Sequence, residues 1–167
     1  RIAQALIFDP ERDDLYEARV GEGAWLNGER LRLARLPDLA HALVGTGFSE
    51  RLDADRHAEM TRKILRRGAM LHQHGSGALA LAQVAAGRLD AYVELHQNAW
   101  DALAGLLIAE EAGALCLAWS REELLRGGLT LAANPGIAAA LAAILDRSQP
   151  WGVASLSHPT EITDAHA

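Results

Sequence analysis

A change of hydrophobic period near residue 53 constrains this chain more than any other feature of its sequence. Upstream, apolar residues fall in short β-prone runs. Downstream, they recur at helical spacing in segments separated by further short apolar runs. Residues 3–8 predict a strand closed by Asp9-Pro10, because proline fixes φ and lacks an amide donor. Residues 15–20 read as the returning strand, and Asn27-Gly28 marks a tight turn, since both residues tolerate positive φ. Beyond Asp53, which with Asp55 is a candidate cap, a helix carries Met60, Ile64 and Leu65 on one side. Residues 70–73 predict a strand, and Gly75-Ser76 leads into a helix through Leu79, Leu81, Val84 and Ala85 that Gly87 ends. Residues 91–94 predict another strand. Asp101 then opens a helix with Leu103, Leu106, Leu107 and Ile108, stopped by Gly113. Strands over 115–118 and 129–132 and a last Ala-rich helix over 136–145 complete the pattern. Strands alternating with helices predict an α/β layer structure with a largely buried sheet.

Three regions follow: a strand meander over residues 1–50, an α/β carboxyl-terminal domain over 51–148, and a loosely packed tail over 149–167. At 167 residues, 50% hydrophobic and 23% charged, the composition is globular and excludes wholesale disorder. A single Cys116, inside an apolar run, excludes an intrachain disulfide framework and fits a reducing, cytoplasmic setting. A net charge of −6 argues against a general nucleic-acid binder. No apolar run reaches membrane-spanning length, so no membrane partner is expected. The chain opens at Arg1 and enters a strand-like run at once, which reads as a processed start or as part of a longer polypeptide.

The candidate chemistry lies at strand-to-helix connections, because open α/β sheets bind ligands outside the carboxyl ends of their strands. Asp101 reads either as a helix N-cap or as a metal ligand held rigid by Trp100 beneath the helix start. Glu94, seven positions earlier, reads either as a solvated strand end or as a partner of Asp101 in binding hydroxyls and a divalent cation. Gly75-Ser76-Gly77 offers a Ser cap, or free helix-entry amides facing an anionic ligand. His74 stands where a nucleophile elbow needs glycine, so no serine hydrolase is implied. His72, His74 and His96 lack the spacing of a zinc site.

Taken in order, these residues resemble the carboxyl-terminal two-thirds of the inositol monophosphatase family, Mg²⁺-dependent, lithium-sensitive phosphatases. The resemblance rests on Trp100-Asp101-Ala102-Leu103-Ala104-Gly105 through Glu111-Ala112-Gly113-Ala114, and on the helix from Gly75-Ser76-Gly77 to Asp90. Further landmarks are Phe8-Asp9-Pro10, the stretch from Gly21 to Gly28, Gly45-Thr46-Gly47-Phe48, and Leu131-Ala132-Ala133-Asn134-Pro135. Leu103 departs from the small residue usual in the family. The signature Asp-Pro-x-Asp-Gly is absent, and Asp9-Pro10-Glu11-Arg12-Asp13 is a decoy for it.

The resemblance implies a layered sheet-and-helix, sugar-phosphatase-like α/β fold with the amino-terminal part absent from this chain. It implies Asp101 as a metal ligand also able to touch substrate, Glu94 as the binder of a substrate hydroxyl, and Gly75, Ser76 and Gly77 lining the same pocket. No catalytic residue beyond the metal ligand is expected here, so this chain alone is expected to be inactive. The implied activity of the whole protein is Mg²⁺-dependent hydrolysis of inositol monophosphate or a related polyol phosphate by a cytoplasmic homodimer. Histidinol phosphate, a sugar bisphosphate or a 3′-phosphonucleotide are the alternative substrates on the same scaffold. A non-catalytic dimerisation or regulatory protein is the alternative of another class.

Overall fold

The computed structural model describes residues 2–145. Its first sheet is an antiparallel meander of β1 (Gln4–Asp9), β2 (Asp14–Arg19), β3 (Gly23–Leu26) and β4 (Glu29–Arg30), in that order. The β3–β4 turn puts Asn27 at φ 50° and Gly28 at φ 82°, the conformation that this residue pair tolerates. Asp9-Pro10 sits at the β1–β2 hairpin, as expected of the decoy motif.

The second sheet has the order β6-β5-β7-β9-β8. It comprises β5 (Leu43–Thr46), β6 (Met70–Gln73), β7 (Ala91–Gln97), β8 (Leu115–Cys116) and β9 (Gly128–Ala133). Strands β5, β6 and β7 run parallel, whereas β9 is antiparallel to both β7 and β8. The change from one sheet to the other therefore falls between Arg30 and Leu43, upstream of the boundary expected at residue 50. The tail over 149–167 lies outside the described residues.

The helices are α1 (Ala54–Leu65), α2 (Gly77–Ala85), α3 (Ala99–Glu111), α4 (Arg121–Arg126) and α5 (Ala138–Ile144). Helices α2 and α3 lie between the two sheets. Ala82, Ala85, Leu107 and Ile108 pack on Ala5, Tyr16, Ala18 and Ala24 of the meander. Ala80, Leu81, Val84, Ala102 and Leu106 pack on Tyr92, Cys116 and Ala132 of the second sheet. A helix buried on two sides must be apolar nearly all round, which is why α2 carries so many alanines and no charged residue. The α2–α3 approach is close enough that a Cβ on Gly105 would collide with Leu81. Helices α1 and α5 cover the other face of the second sheet through Met60, Ile64, Leu141 and Ile144. The layers thus run sheet, helices, sheet, helices, and no helix among the described residues is long and apolar enough to cross a membrane.

Several sequence expectations need correction. Leu65 is 52% exposed, because α1 buries the narrower stripe of Met60 and Ile64. The strand expected over 115–118 closes at Cys116, and Trp119 is buried instead in the core beside α3. Helix α4, unforeseen, begins at a capping box in which Ser120 and Glu123 bond reciprocally; the Ser-x-x-Glu spacing was its signal. Strand β5 was likewise unforeseen, since four residues between glycines and a short 3-10 turn at Leu39–His41 offer little periodicity.

Two family landmarks serve the scaffold. Asn134 accepts the Leu36 amide (2.9 Å) and donates to the Ala34 carbonyl (2.7 Å), tying down the connection between the sheets. Glu111 accepts the amides of Gly21 (2.7 Å) and Gly23 (2.9 Å), fixing the β2–β3 turn against α3.

Candidate functional site

Because β5, β6 and β7 are parallel neighbours, their carboxyl ends open on one edge of the sheet. There the loop after β5, the turn before α2 and the start of α3 surround a cleft of about 740 Å³. Its lining includes Glu94, Asp101, Gly75, Ser76 and Gly77, the five residues that the resemblance implied for one pocket.

Glu94 sits where β7 loses register with β9: Glu94 pairs with Thr130 and Gln97 with Gly128, an extra residue on β7. Such a bulge re-aims side chains beside it. Glu94 is half-buried, and its Oε2 accepts a hydrogen bond of 2.5 Å from the hydroxyl of Tyr92. Burial raises the Glu94 pKa above the ordinary carboxylate value; the Tyr92 bond opposes this and the charge of Asp101 adds to it.

Asp101 lies in the first turn of α3 and is exposed. The helix is entered from Asn98, so Asp101 is not the N-cap that the sequence suggested as its bland role. Its carboxylate makes no hydrogen bond or ion pair with the described residues. Trp100 does not pack beneath the helix start; it is 78% exposed. What steadies this turn is Gln97, whose Nε2 donates to the Asp101 carbonyl at 3.3 Å.

At the α2 entrance Ser76 is the N-cap, its Oγ accepting the Leu79 amide at 3.3 Å. The Ser76 amide in turn donates to His74 Nδ1 at 3.2 Å. Burial, and then the charge of neighbouring His72, lower the His74 pKa and keep that nitrogen free to accept. His72 and His74 meet edge to face, with ring centroids 5.6 Å apart. Among the described residues no three His, Cys, Asp or Glu side chains gather into a metal cage.

Tyr92 and Gln97 are the cleft residues that sequence reasoning missed. Tyr92 lay within the strand predicted over 91–94 with no role of its own; it is fully buried, yet its hydroxyl reaches Glu94. Gln97 is 4% exposed, and its Oε1 is buried without a partner, as is Nε2 of His96 beside it. The period-two pattern gave the side of β7 on which Tyr92 lies, but a bulge erases that periodicity before Gln97. The loop from Gly47 to Arg51 also lines the cleft beyond β5; only Gly47-Phe48 of it belonged to a sequence landmark, and that landmark gave it no place in the site.

The donor set is chemically specific. An exposed, unpartnered carboxylate beside a second, half-buried one suits a hard divalent cation such as Mg²⁺, which takes only one or two protein carboxylates and otherwise waters and substrate oxygens. Asp101 is one exposed carboxylate of that kind, and among the described residues no three His, Cys, Asp or Glu side chains form a complete cage.

The model of the inositol monophosphatase family matches residues 1–151. The chain is 37% identical over 157 residues to an inositol-1-monophosphatase of Rhizobium meliloti, covering 89% of this chain and 57% of that protein. It is 35% identical over 147 residues to a putative Nus factor SuhB of Neisseria meningitidis serogroup B, covering 86% and 56% respectively. The structure of Mycobacterium tuberculosis SuhB superposes with a TM-score of 0.77 at 38% identity, covering 86% of this chain and 58% of that one. The chain thus spans a little over half the length of the relatives it matches.

Proposed function

Because this chain belongs to the inositol monophosphatase family, we propose that it supplies the substrate pocket and one metal ligand of a Mg²⁺-dependent phosphate-monoester hydrolase. The alcohol part of the ester would be a polyol, inositol monophosphate or a close relative. The observation that carries this reading is the convergence of Glu94, Asp101 and the Gly75–Gly77 turn on one cleft.

Asp101 would hold Mg²⁺ through its exposed carboxylate, and a bound divalent cation supplies charge neutralisation on the phosphate and a water of lowered pKa. Glu94, on the same face of β7 as Tyr92 and the last residue before the bulge, would accept a hydroxyl of the alcohol. The amides at the start of α2 and the backbone of Gly75–Gly77 would line the wall beside it. With only Asp101 offered as a ligand, the 167-residue chain alone is proposed to turn over no ester; the activity belongs to the full-length protein.

The test is phosphate release by the full-length protein, with and without Mg²⁺, from inositol monophosphate, histidinol phosphate, a sugar bisphosphate and a 3′-phosphonucleotide. Mg²⁺-dependent release greatest from the polyol monophosphate supports the reading. Preference for another of the esters moves the substrate and keeps the chemistry. A second reading rests on the relatives named Nus factors: the same scaffold serves a role apart from hydrolysis. A folded full-length protein that releases phosphate from none of the four esters favours that role.

A further inference from the structure

Three elements close on one phenol at the floor of the cleft. Tyr92 has no exposed surface, and its hydroxyl donates to Glu94 Oε2 at 2.5 Å. Burial, reinforced by the bond to Glu94, holds the phenol protonated, so Tyr92 is the donor and Glu94 the acceptor. A Cβ on Gly47, just past β5, would run into both the Tyr92 hydroxyl and Glu94 Oε2. A Cβ on Gly77, at the start of α2, would lie 3.0 Å from the same hydroxyl and collide with the Gln97 amide. The backbone of Gly47 therefore packs against both members of the Tyr92–Glu94 pair, and that of Gly77 lies close to the Tyr92 hydroxyl.

The consequence is an asymmetric carboxylate. Oε2 is engaged by a charge-assisted bond. Oε1 has no hydrogen bond to the described residues and is not among their buried unpartnered atoms, so it stays open to the cleft. A carboxylate free to rotate could meet hydroxyls in several orientations with either oxygen. One that is tied by Oε2 presents a single acceptor in a single direction.

We propose that Tyr92 is the positioning residue of this site, fixing Glu94 so that Oε1 alone meets the substrate and selects a polyol ester whose hydroxyl has one orientation. This rests on the reading of Glu94 as the acceptor of a substrate hydroxyl. It adds a residue that touches no substrate and predicts stereochemical selectivity as its product.

The test compares full-length wild type, Tyr92→Phe, Glu94→Gln and the double variant, with Mg²⁺, on three esters: a polyol phosphate, its epimer at one hydroxyl, and the analogue lacking that hydroxyl. Tyr92→Phe removes one oxygen and keeps the ring in the core. KM for the preferred polyol phosphate is expected to rise about fivefold to tenfold, with kcat within about twofold, while the deoxy analogue is unaffected. Preference over the epimer falls by a similar factor. In the double variant Tyr92→Phe adds nothing to Glu94→Gln, because its effect passes through that carboxylate. Equal losses on all three esters, or additive losses in the double variant, overturn the proposal in favour of a merely structural tyrosine. A wild type active on these esters whose Tyr92→Phe form keeps its full preference overturns it alone. A wild type inactive on all three overturns the functional reading and this proposal together.

Discussion

The molecule holds two tyrosine–carboxylate clusters, and they are built differently. In the meander, Asp14 and the fully buried Tyr16 both meet Arg88, whose Nη1 lies 2.6 Å from Asp14 Oδ2 and 2.8 Å from the Tyr16 hydroxyl. Asn27 adds a bond to the other Asp14 oxygen at 3.3 Å. Every polar group there has its partner and the carboxylate has its cation. In the cleft, among the described residues, Tyr92 serves Glu94 alone, no cationic side chain pairs with Glu94 or Asp101, and Gln97 and His96 keep buried atoms without partners. A satisfied cluster fastens the meander to the turn that follows α2. An unsatisfied one at the mouth of a parallel sheet keeps its bonding capacity for something that arrives from solution.

The contrast predicts that substitutions in the cleft cost function and substitutions in the meander cost stability. Asp101→Asn in the full-length protein should show the largest effect, at least about a hundredfold in kcat/KM for Mg²⁺-dependent phosphate release. Its thermal melting should stay close to wild type, since the side chain is exposed and unpartnered. Gly47→Ala comes next. The added methyl drives into Glu94 and Tyr92, so activity toward polyol phosphates should fall about tenfold or more, mostly in KM.

Arg88→Met is the reverse case. It leaves Asp14 and Tyr16 without their shared donor and should destabilise the protein by about 2 kcal/mol in urea unfolding, with kcat/KM at low temperature unchanged. A loss of activity without a loss of stability there would erase the distinction between the clusters.

The smallest expected effect is a pH dependence. His74 has a lowered pKa in the fold, set by burial and by His72, with Asp9 and Arg12 also in its field. The folded state therefore binds this proton less readily than the unfolded chain. The stability it contributes is complete above its ordinary value of 6.5 and is lost as pH falls through that value toward the lower folded one. Unfolding free energies measured across this window should drop for wild type, and the drop should shrink in His74→Gln.

Much of this was legible in the sequence, for reasons that particular residues make clear. Helix α1 announced its buried side through Met60 and Ile64. Gly87 and Gly113 stop their helices at φ 68° and 103°, a conformation that glycine adopts without penalty. Glu94, Asp101 and the Gly75 turn were readable because strand-to-helix connections carry chemistry in α/β sheets.

The dependence of the cleft on Tyr92 was not legible. A tyrosine in an apolar strand reads as core, and only the register of β7 against β5 shows that Gly47 and Glu94 close around its hydroxyl. Likewise the large apolar Trp100 beside Asp101 reads as packed beneath the helix start, yet helix phase carries it outward to solvent, 78% exposed. Tertiary juxtaposition and helix phase at an entry turn decide such positions, and neither leaves a local signature.

Calorimetric titration of Mg²⁺ into the full-length protein, with a polyol phosphate present, bears most directly on the difference between the clusters. Wild type and Arg88→Met should bind the cation with the same affinity, and Asp101→Asn should lose most of the binding heat. Unchanged Mg²⁺ affinity in Asp101→Asn would contradict the assignment of that exposed carboxylate as the ligand this chain brings to the site.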